Sequence, residues 1–205
     1  MQPSPHDPLT EYEEYIGFYL EIGMAITAWA HIELALYWVT STCFSKSNRP
    51  AAGLGFFSID NFRSKLQFAD NLVRAKYTSG KHIKDWNELH GQLESLAKIR
   101  NKLAHYHVMS YSNGKPGRRR ALLSRIDKPT RFKQATPKPP SSALCIRDIM
   151  HARMRFAAAA FALEFLFYRM MRRKTQLPAS LAQVRDAPTM VWLTHQMRTI
   201  LTRPH

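Results

Sequence analysis

The chain has 205 residues, 45% of them hydrophobic and 22% charged, with only 8 glycines; this balance suits a helical globular protein with a sizeable core and excludes a turn-dense all-β design. Lys and Arg number 30 against 15 Asp and Glu, a formal charge of +15 that favours a polyanion such as nucleic acid or an acidic membrane surface, or else an acidic protein, as partner. Two cysteines, Cys43 and Cys145, stand far apart without a CxxC spacing, so neither a zinc knuckle nor a disulfide framework is indicated and reduced thiols are expected.

The opening residues, MQPSPHDPLTEYEEY, show no basic stretch followed by an apolar one, so the sequence predicts a cytoplasmic chain with no secretory signal. Thr10 ahead of EYEEY is a candidate N-cap, with early acidic residues suited to a helix N-terminus. Phe18, Ile22, Ala25, Trp29, Ile32, Leu36 and Val39 recur at three- and four-residue steps, which predicts a first long helix to about residue 44 with one buried face. SKSNRPAAG reads as a connector. A second helix follows in FFSIDNFRSKLQFADNLVRAKY, with Ser58 as its cap and Phe62, Leu66, Ala69, Leu72 and Val73 facing inward.

TSGKH breaks that pattern, and a third helix from about residue 82 carries the most regular stripe of the chain: Trp86, Leu89, Leu93, Leu96 and Leu103. Residues 110–140 change character, with five prolines and nine Lys/Arg against one Asp. This basic insertion is read as irregular, or as a β-hairpin pairing HVMSYS with RALLSRI around NGKPG. A fourth helix should start near Ser141 or Ser142. FAAAAFALEFLFY within it is too short to span a bilayer and carries Glu164, so it reads as core and no membrane partner is expected. The tail, residues 175–205, reads as a short covering helix with Val191, Met197 and Leu201 as anchors. The prediction is one all-α domain over residues 1–205, a four- to five-helix bundle with the insertion between its third and fourth main helices.

Arg100 interrupts the third helix's stripe. At about 100° per residue, Leu93, Leu96 and Leu103 all fall within about 60° of it. A guanidinium there needs either an ion pair, with Glu33 or Glu94, or a ligand. His105 lies about 140° around from Arg100 and groups with Asn101, so one helix does not bring the two side chains together. A two-fold axis beside this helix would supply a second copy of both. In a purely structural role, His105 would meet the last carbonyls of the helix. His31, His82, His90 and His151 lack the paired spacing of a metal site.

RNKLAH, residues 100–105, resembles the signature of the HEPN superfamily of small helical ribonucleases, and WAHIELAL and FRSKLQF on the two preceding helices resemble bacterial members in order and spacing. The resemblance covers roughly residues 15 to 110. It implies a dimeric helical bundle that cuts RNA without metal or other cofactor, with Arg100 and His105 active and Asn101 assisting. A bacterial toxin–antitoxin or phage-defence setting, and with it an antitoxin or other neutralising protein, is implied on the same ground. Apart from the resemblance, Glu33, as a structural partner that would position Arg100, and His107 and Tyr106 beside the motif are supporting candidates, His107 reading first as the end of the apolar stripe and second as a further proton carrier. One branch of the family places a tyrosine two positions after the histidine; here position 107 is His and the tyrosine is Tyr106.

These residue types suit that chemistry. RNA carries its own nucleophile in the 2'-hydroxyl, so an imidazole to move protons and a fixed cation beside the developing phosphorane suffice. Arginine's planar fork matches phosphate oxygens. Lys115, Arg118, Arg119, Arg120, Arg125, Lys128, Arg131 and Lys133 form a candidate RNA-binding arm whose affinity would be salt-sensitive and largely sequence-independent. The alternatives are a catalytically silent module of the same fold that dimerises and binds RNA or protein, and a DNA-binding regulator, against which stands the lack of a helix-turn-helix pattern.

Overall fold

The computed structural model describes residues 8–78, 80–112, 119–124 and 142–171. Five helices and one two-stranded sheet account for most of them: α1 (Pro8–Ser41), α2 (Arg49–Phe57), α3 (Phe62–Lys76), α4 (Lys81–His105), β1 (His107–Ser112), β2 (Arg119–Ser124) and α5 (Ile146–Met170). The protein is mostly helical, with the small sheet inserted between α4 and α5. The chain divides into two compact units, one of residues 1–27 and 98–153, the other of residues 28–97 and 154–205. The continuous helices α1, α4 and α5 contribute to both.

In the unit of residues 28–97 and 154–205, most of the stripe residues expected from the sequence are buried, while Phe62 and Leu72, also expected to face inward, are half-buried. Trp29, Ile32, Leu36 and Val39 of α1, Leu66, Ala69 and Val73 of α3, and Trp86, Leu89, Leu93 and Leu96 of α4 are all buried. Each large apolar side chain so removed from water contributes about 1.5–3 kcal/mol. Trp29 meets Phe62 and Phe156 edge-on, with ring centroids 4.5 and 5.1 Å apart, the arrangement that the ring quadrupoles favour. Along α5, the buried Ala159 and Ala160 keep the helix surface flat beside Phe156 and Leu163.

Two charged clusters are built into this unit. Glu33 accepts from Trp29 Nε1 at 3.0 Å and from Lys65 Nζ at 2.6 Å, so each carboxylate oxygen has its own donor. Asp70 likewise accepts from Trp86 Nε1 at 2.8 Å and from Arg74 Nε at 2.9 Å. Burial alone would raise the Asp70 pKa; the hydrogen bonds from Arg74 and Trp86, with the charge of Arg74, outweigh it and hold the carboxyl below its ordinary value. Arg169 pairs with Asp85.

In the unit of residues 1–27 and 98–153, Phe18 and Ala25 of α1, Leu103 of α4, Ala121 and Leu123 of β2, and Ile149 and Ala152 of α5 are buried. The expected hairpin forms: β1 and β2 run antiparallel, with His107 opposite Ser124 and Ser112 opposite Arg119. Two tethers hold β2 from its outer side. Leu144 exchanges backbone hydrogen bonds with Leu123 at 2.8 and 2.9 Å, and Glu14 Oε1 accepts from the Ala121 N–H at 3.2 Å.

Three boundaries differ from the sequence expectation. The connector at 45–53 is a 3-10 turn, Lys46–Asn48, leading into α2, because Pro50 sits in the first turn, where its missing N–H is harmless and its fixed φ favours the helix. The connector thus carries a helix of its own ahead of the expected one, whose start moves from Ser58 to Asn61. Ser58 closes α2, donating to the Gly55 carbonyl at 2.8 Å, and Asn61 caps α3 by accepting from the Ser64 N–H at 2.8 Å. Finally, α5 begins at Ile146 and not near Ser141 or Ser142, since Leu144 is engaged with β2 and Cys145 takes the cap position, its N–H bound by Asp148 Oδ2 at 2.8 Å.

The apolar segment that best satisfies membrane criteria is not the one in α5. Tyr12–Ser41 is long and apolar enough to cross a membrane by length and composition, a test that core helices of soluble proteins also pass. Of its stripe, Phe18, Ala25, Trp29, Ile32, Leu36 and Val39 are buried in protein and Ile22 is half-buried. The tail at 175–205, with Val191, Met197 and Leu201, lies outside the described residues, as does the NGKPG turn.

Candidate functional site

The last two turns of α4 carry the signature. Arg100 is half-buried, as its place among buried Leu93, Leu96 and Leu103 requires. Its Nη1 donates to Asn101 Oδ1 at 3.4 Å, a long and weak bond, and its Nε is shielded from solvent without a hydrogen-bond partner among the described residues. A shielded guanidinium N–H without an acceptor costs on the order of 1–3 kcal/mol, the kind of deficit that an anionic ligand offsets.

Neither carboxylate expected as a structural partner of Arg100 is bound to it. Glu33 spends both oxygens on Trp29 and Lys65, and Glu94 is exposed. The sequence could not show this choice, because Lys65 stands 32 residues further along, buried on α3.

His105 is exposed on the final turn of α4. The helical hydrogen bonding runs one residue past it, with the Tyr106 N–H donating to the Lys102 carbonyl at 2.9 Å. Tyr106 is half-buried at the turn into β1, and His107, exposed, opens the strand opposite Ser124. α4 is unbroken from Lys81 to His105, so Arg100 and His105 remain about 140° apart around it and about 7.5 Å apart along it. One copy of the helix brings Asn101 and His105 onto one face and leaves Arg100 on another.

Two cations that the motif does not include share the His105 face. By the same 100° step, Lys98 and Lys102 lie within about 60° of His105, and Asn101 lies within about 40°. Lys98 is exposed and Lys102 half-buried. The signal was present in the sequence as K-x-x-N-K-x-x-H, a polar strip on the side of the helix opposite its leucines.

The basic arm is described only in part. Arg119 and Arg120 lie on β2; Lys115, Arg118, Arg125, Lys128, Arg131 and Lys133 lie outside the described residues. The tethers from Glu14 and Leu144 to β2 fix the strand on which Arg119 and Arg120 stand, so that part of the arm has a defined base. Among the described residues, no three His, Cys, Asp or Glu side chains form a group that would hold a metal ion. No protein-family model, curated protein sequence or solved structure matches the chain.

Proposed function

We propose that the protein is a metal-independent endoribonuclease of HEPN type, acting in the cytoplasm as a homodimer in a bacterial toxin–antitoxin or phage-defence setting. The observation that carries this is Arg100: a half-buried guanidinium on an apolar stripe whose Nε has no acceptor within the described protein. An RNA phosphate supplies that acceptor. His105, exposed on the adjoining polar face with Asn101, takes the proton of the 2'-hydroxyl as that oxygen attacks phosphorus. The P–O5' bond breaks, and the proton is returned to the departing 5'-oxygen. Products then end in a 2',3'-cyclic phosphate and begin with a 5'-hydroxyl. Because the two residues diverge on one helix, the site is completed by α4 of a second copy, whose own Arg100 and His105 complement the first. Lys98, Lys102 and the basic arm hold the RNA backbone through phosphate contacts.

The same divergence favours a second reading, a silent module of this fold that binds RNA or a neutralising protein without cutting. One experiment separates the two: cleavage of single-stranded RNA in EDTA by the wild type and by His105→Ala. Loss of cleavage with RNA binding retained identifies the enzyme. Binding without cleavage by either protein identifies the module.

A further inference from the structure

Within the unit of residues 1–27 and 98–153, α1 turns large apolar side chains to solvent. Tyr12 is 64% exposed, Ile16 49%, Tyr19 59% and Leu20 60%, and Gly23 and Thr27 are exposed beside them. At 100° per residue all six fall within about 100° of the helix surface, a width typical of a face that packs against another helix. The N-terminal end of α5 widens the patch: Ile146 and Met150 are 38% and 39% exposed, and Ile146 Cδ1 lies 4.0 Å from where a Cβ on Gly17 would stand. Contiguous exposed apolar surface of this kind marks a contact site.

Charge narrows what covers it. The first 45 residues hold six Asp/Glu and no Lys or Arg, so this part of α1 has no cation to offer a nucleic acid or anionic lipid headgroups. For the same reason it is where a second copy of a chain of charge +15 meets the least repulsion.

The face is complementary to itself. Positions 12, 16, 19, 20, 23 and 27 are separated by four, three, one, three and four residues, a spacing that reads the same in both directions. Laid antiparallel about the point between Tyr19 and Leu20, it sets Ile16 against Gly23 of the partner subunit and Tyr12 against Thr27 of the partner subunit, a large side chain against a small one each time. A Cβ on Gly23 would meet nothing within 4 Å in its own chain, so the space above it is open to such a side chain. Thr27 Oγ1 already donates to the Gly23 carbonyl at 3.0 Å and can leave water without losing that bond. Glu13, exposed at the margin, stands about 20 Å along the axis from Glu13 of the partner subunit in this arrangement, well past a Debye length, whereas a parallel pairing would put the two side by side. With Ile146 and Met150 the exposed parts amount to roughly 600 Å² per copy, so a pair buries about 1,200 Å², the lower end of the range for specific interfaces.

We propose that α1 of a second copy docks antiparallel on the face formed by Tyr12, Ile16, Tyr19, Leu20, Gly23 and Thr27. The pairing is independent of the ribonuclease assignment and of the α4 contact that belongs to it.

The test is the mass of the full-length protein in solution, by light scattering from about 1 to 100 µM, where mass action separates paired from unpaired chains. Ile16→Glu/Leu20→Glu should halve the assembled mass; both positions are exposed, so the helical core is left intact, which circular dichroism checks. Gly23→Ile adds a side chain that its own chain accommodates but that collides with Ile16 of the partner subunit, so the dissociation constant should rise at least about tenfold. Ile16→Ala/Gly23→Ile exchanges large and small across the pair and should recover most of that loss. An unchanged mass in Ile16→Glu/Leu20→Glu would overturn the proposal, and so would a double exchange as weak as Gly23→Ile alone. A wild type that stays monomeric throughout would also overturn it, and binding of that monomer to phosphatidylcholine vesicles would then assign the face to a lipid surface.

Discussion

Replacing Arg100 with leucine separates the demands of folding from those of function at one position. The helix stripe around it is leucine at 93, 96 and 103, and all three are buried. The substitution removes a guanidinium whose Nε is shielded without an acceptor, a deficit of roughly 1–3 kcal/mol, and the half-exposed head places the gain near the lower end, about 1 kcal/mol. For a chain of this size that corresponds to a melting point about 2–4 °C higher. Loss of one fixed cation at a developing phosphorane costs on the order of 10²- to 10³-fold in rate. Arg100→Leu should therefore melt slightly higher while RNA cleavage in EDTA falls by about two orders of magnitude or more. Scanning calorimetry and single-turnover cleavage of a labelled RNA measure the two quantities on the same preparation. A melting point several degrees lower with cleavage intact would refute the reasoning, and would make Arg100 a packing residue.

Lys65→Ala leaves the Glu33 carboxylate shielded without its ammonium partner and should cost about 3–5 kcal/mol, whereas Glu33→Gln/Lys65→Met should recover most of the loss; urea midpoints measure both. Asp70 has its folded-state pKa below the ordinary value, so its contribution is complete above about pH 4 and is lost as the pH falls below that toward the folded value. Asp70→Asn should accordingly flatten the acid limb of a stability-against-pH curve, and an unchanged limb would show that Asp70 is not the group responsible. Asp148→Ala opens the cap at Cys145 and should lower stability by about 1 kcal/mol, read by thermal melting. Arg118→Ala/Arg119→Ala/Arg120→Ala removes up to three phosphate contacts and should flatten the log–log salt dependence of single-stranded RNA binding by about two units; an unchanged slope would give the arm another partner.

Helix interiors were legible from the sequence because burial imposes a period. Trp86, Leu89, Leu93 and Leu96 repeat at three and four, and all are buried. Helix ends were less so, because caps depend on tertiary competition. Ser141 and Ser142 are better intrinsic caps than Cys145, yet α5 starts after Cys145 because Leu144 is drawn into pairing with Leu123 on β2. Cys-x-x-Asp did carry half of a capping-box signal at 145–148, Asp148 accepting from the Cys145 N–H, hidden by the cysteine in the place where a serine is usual. The short α2 was missed for a related reason: nine residues with two glycines have little intrinsic helix preference, and it is the contact of Gly53 and Phe56 with Tyr37 that keeps the segment helical.

The candidate site shows the same division between what is periodic and what is contextual. Arg100 was conspicuous because it breaks a period, and a residue that breaks a local rule without a local compensation is where function is to be sought. Its partner was not legible. Glu33 was the natural candidate on α1, but its two oxygens accept from Lys65 at 2.6 Å and from Trp29, and it is not paired with Arg100. What remains at Arg100 is a cation that the fold has set among leucines and has not neutralised through its Nε. A fold that needed only packing there would carry leucine. The position is intelligible if the missing acceptor arrives from outside the chain, and a phosphate oxygen is the acceptor that a chain of charge +15 is best placed to attract.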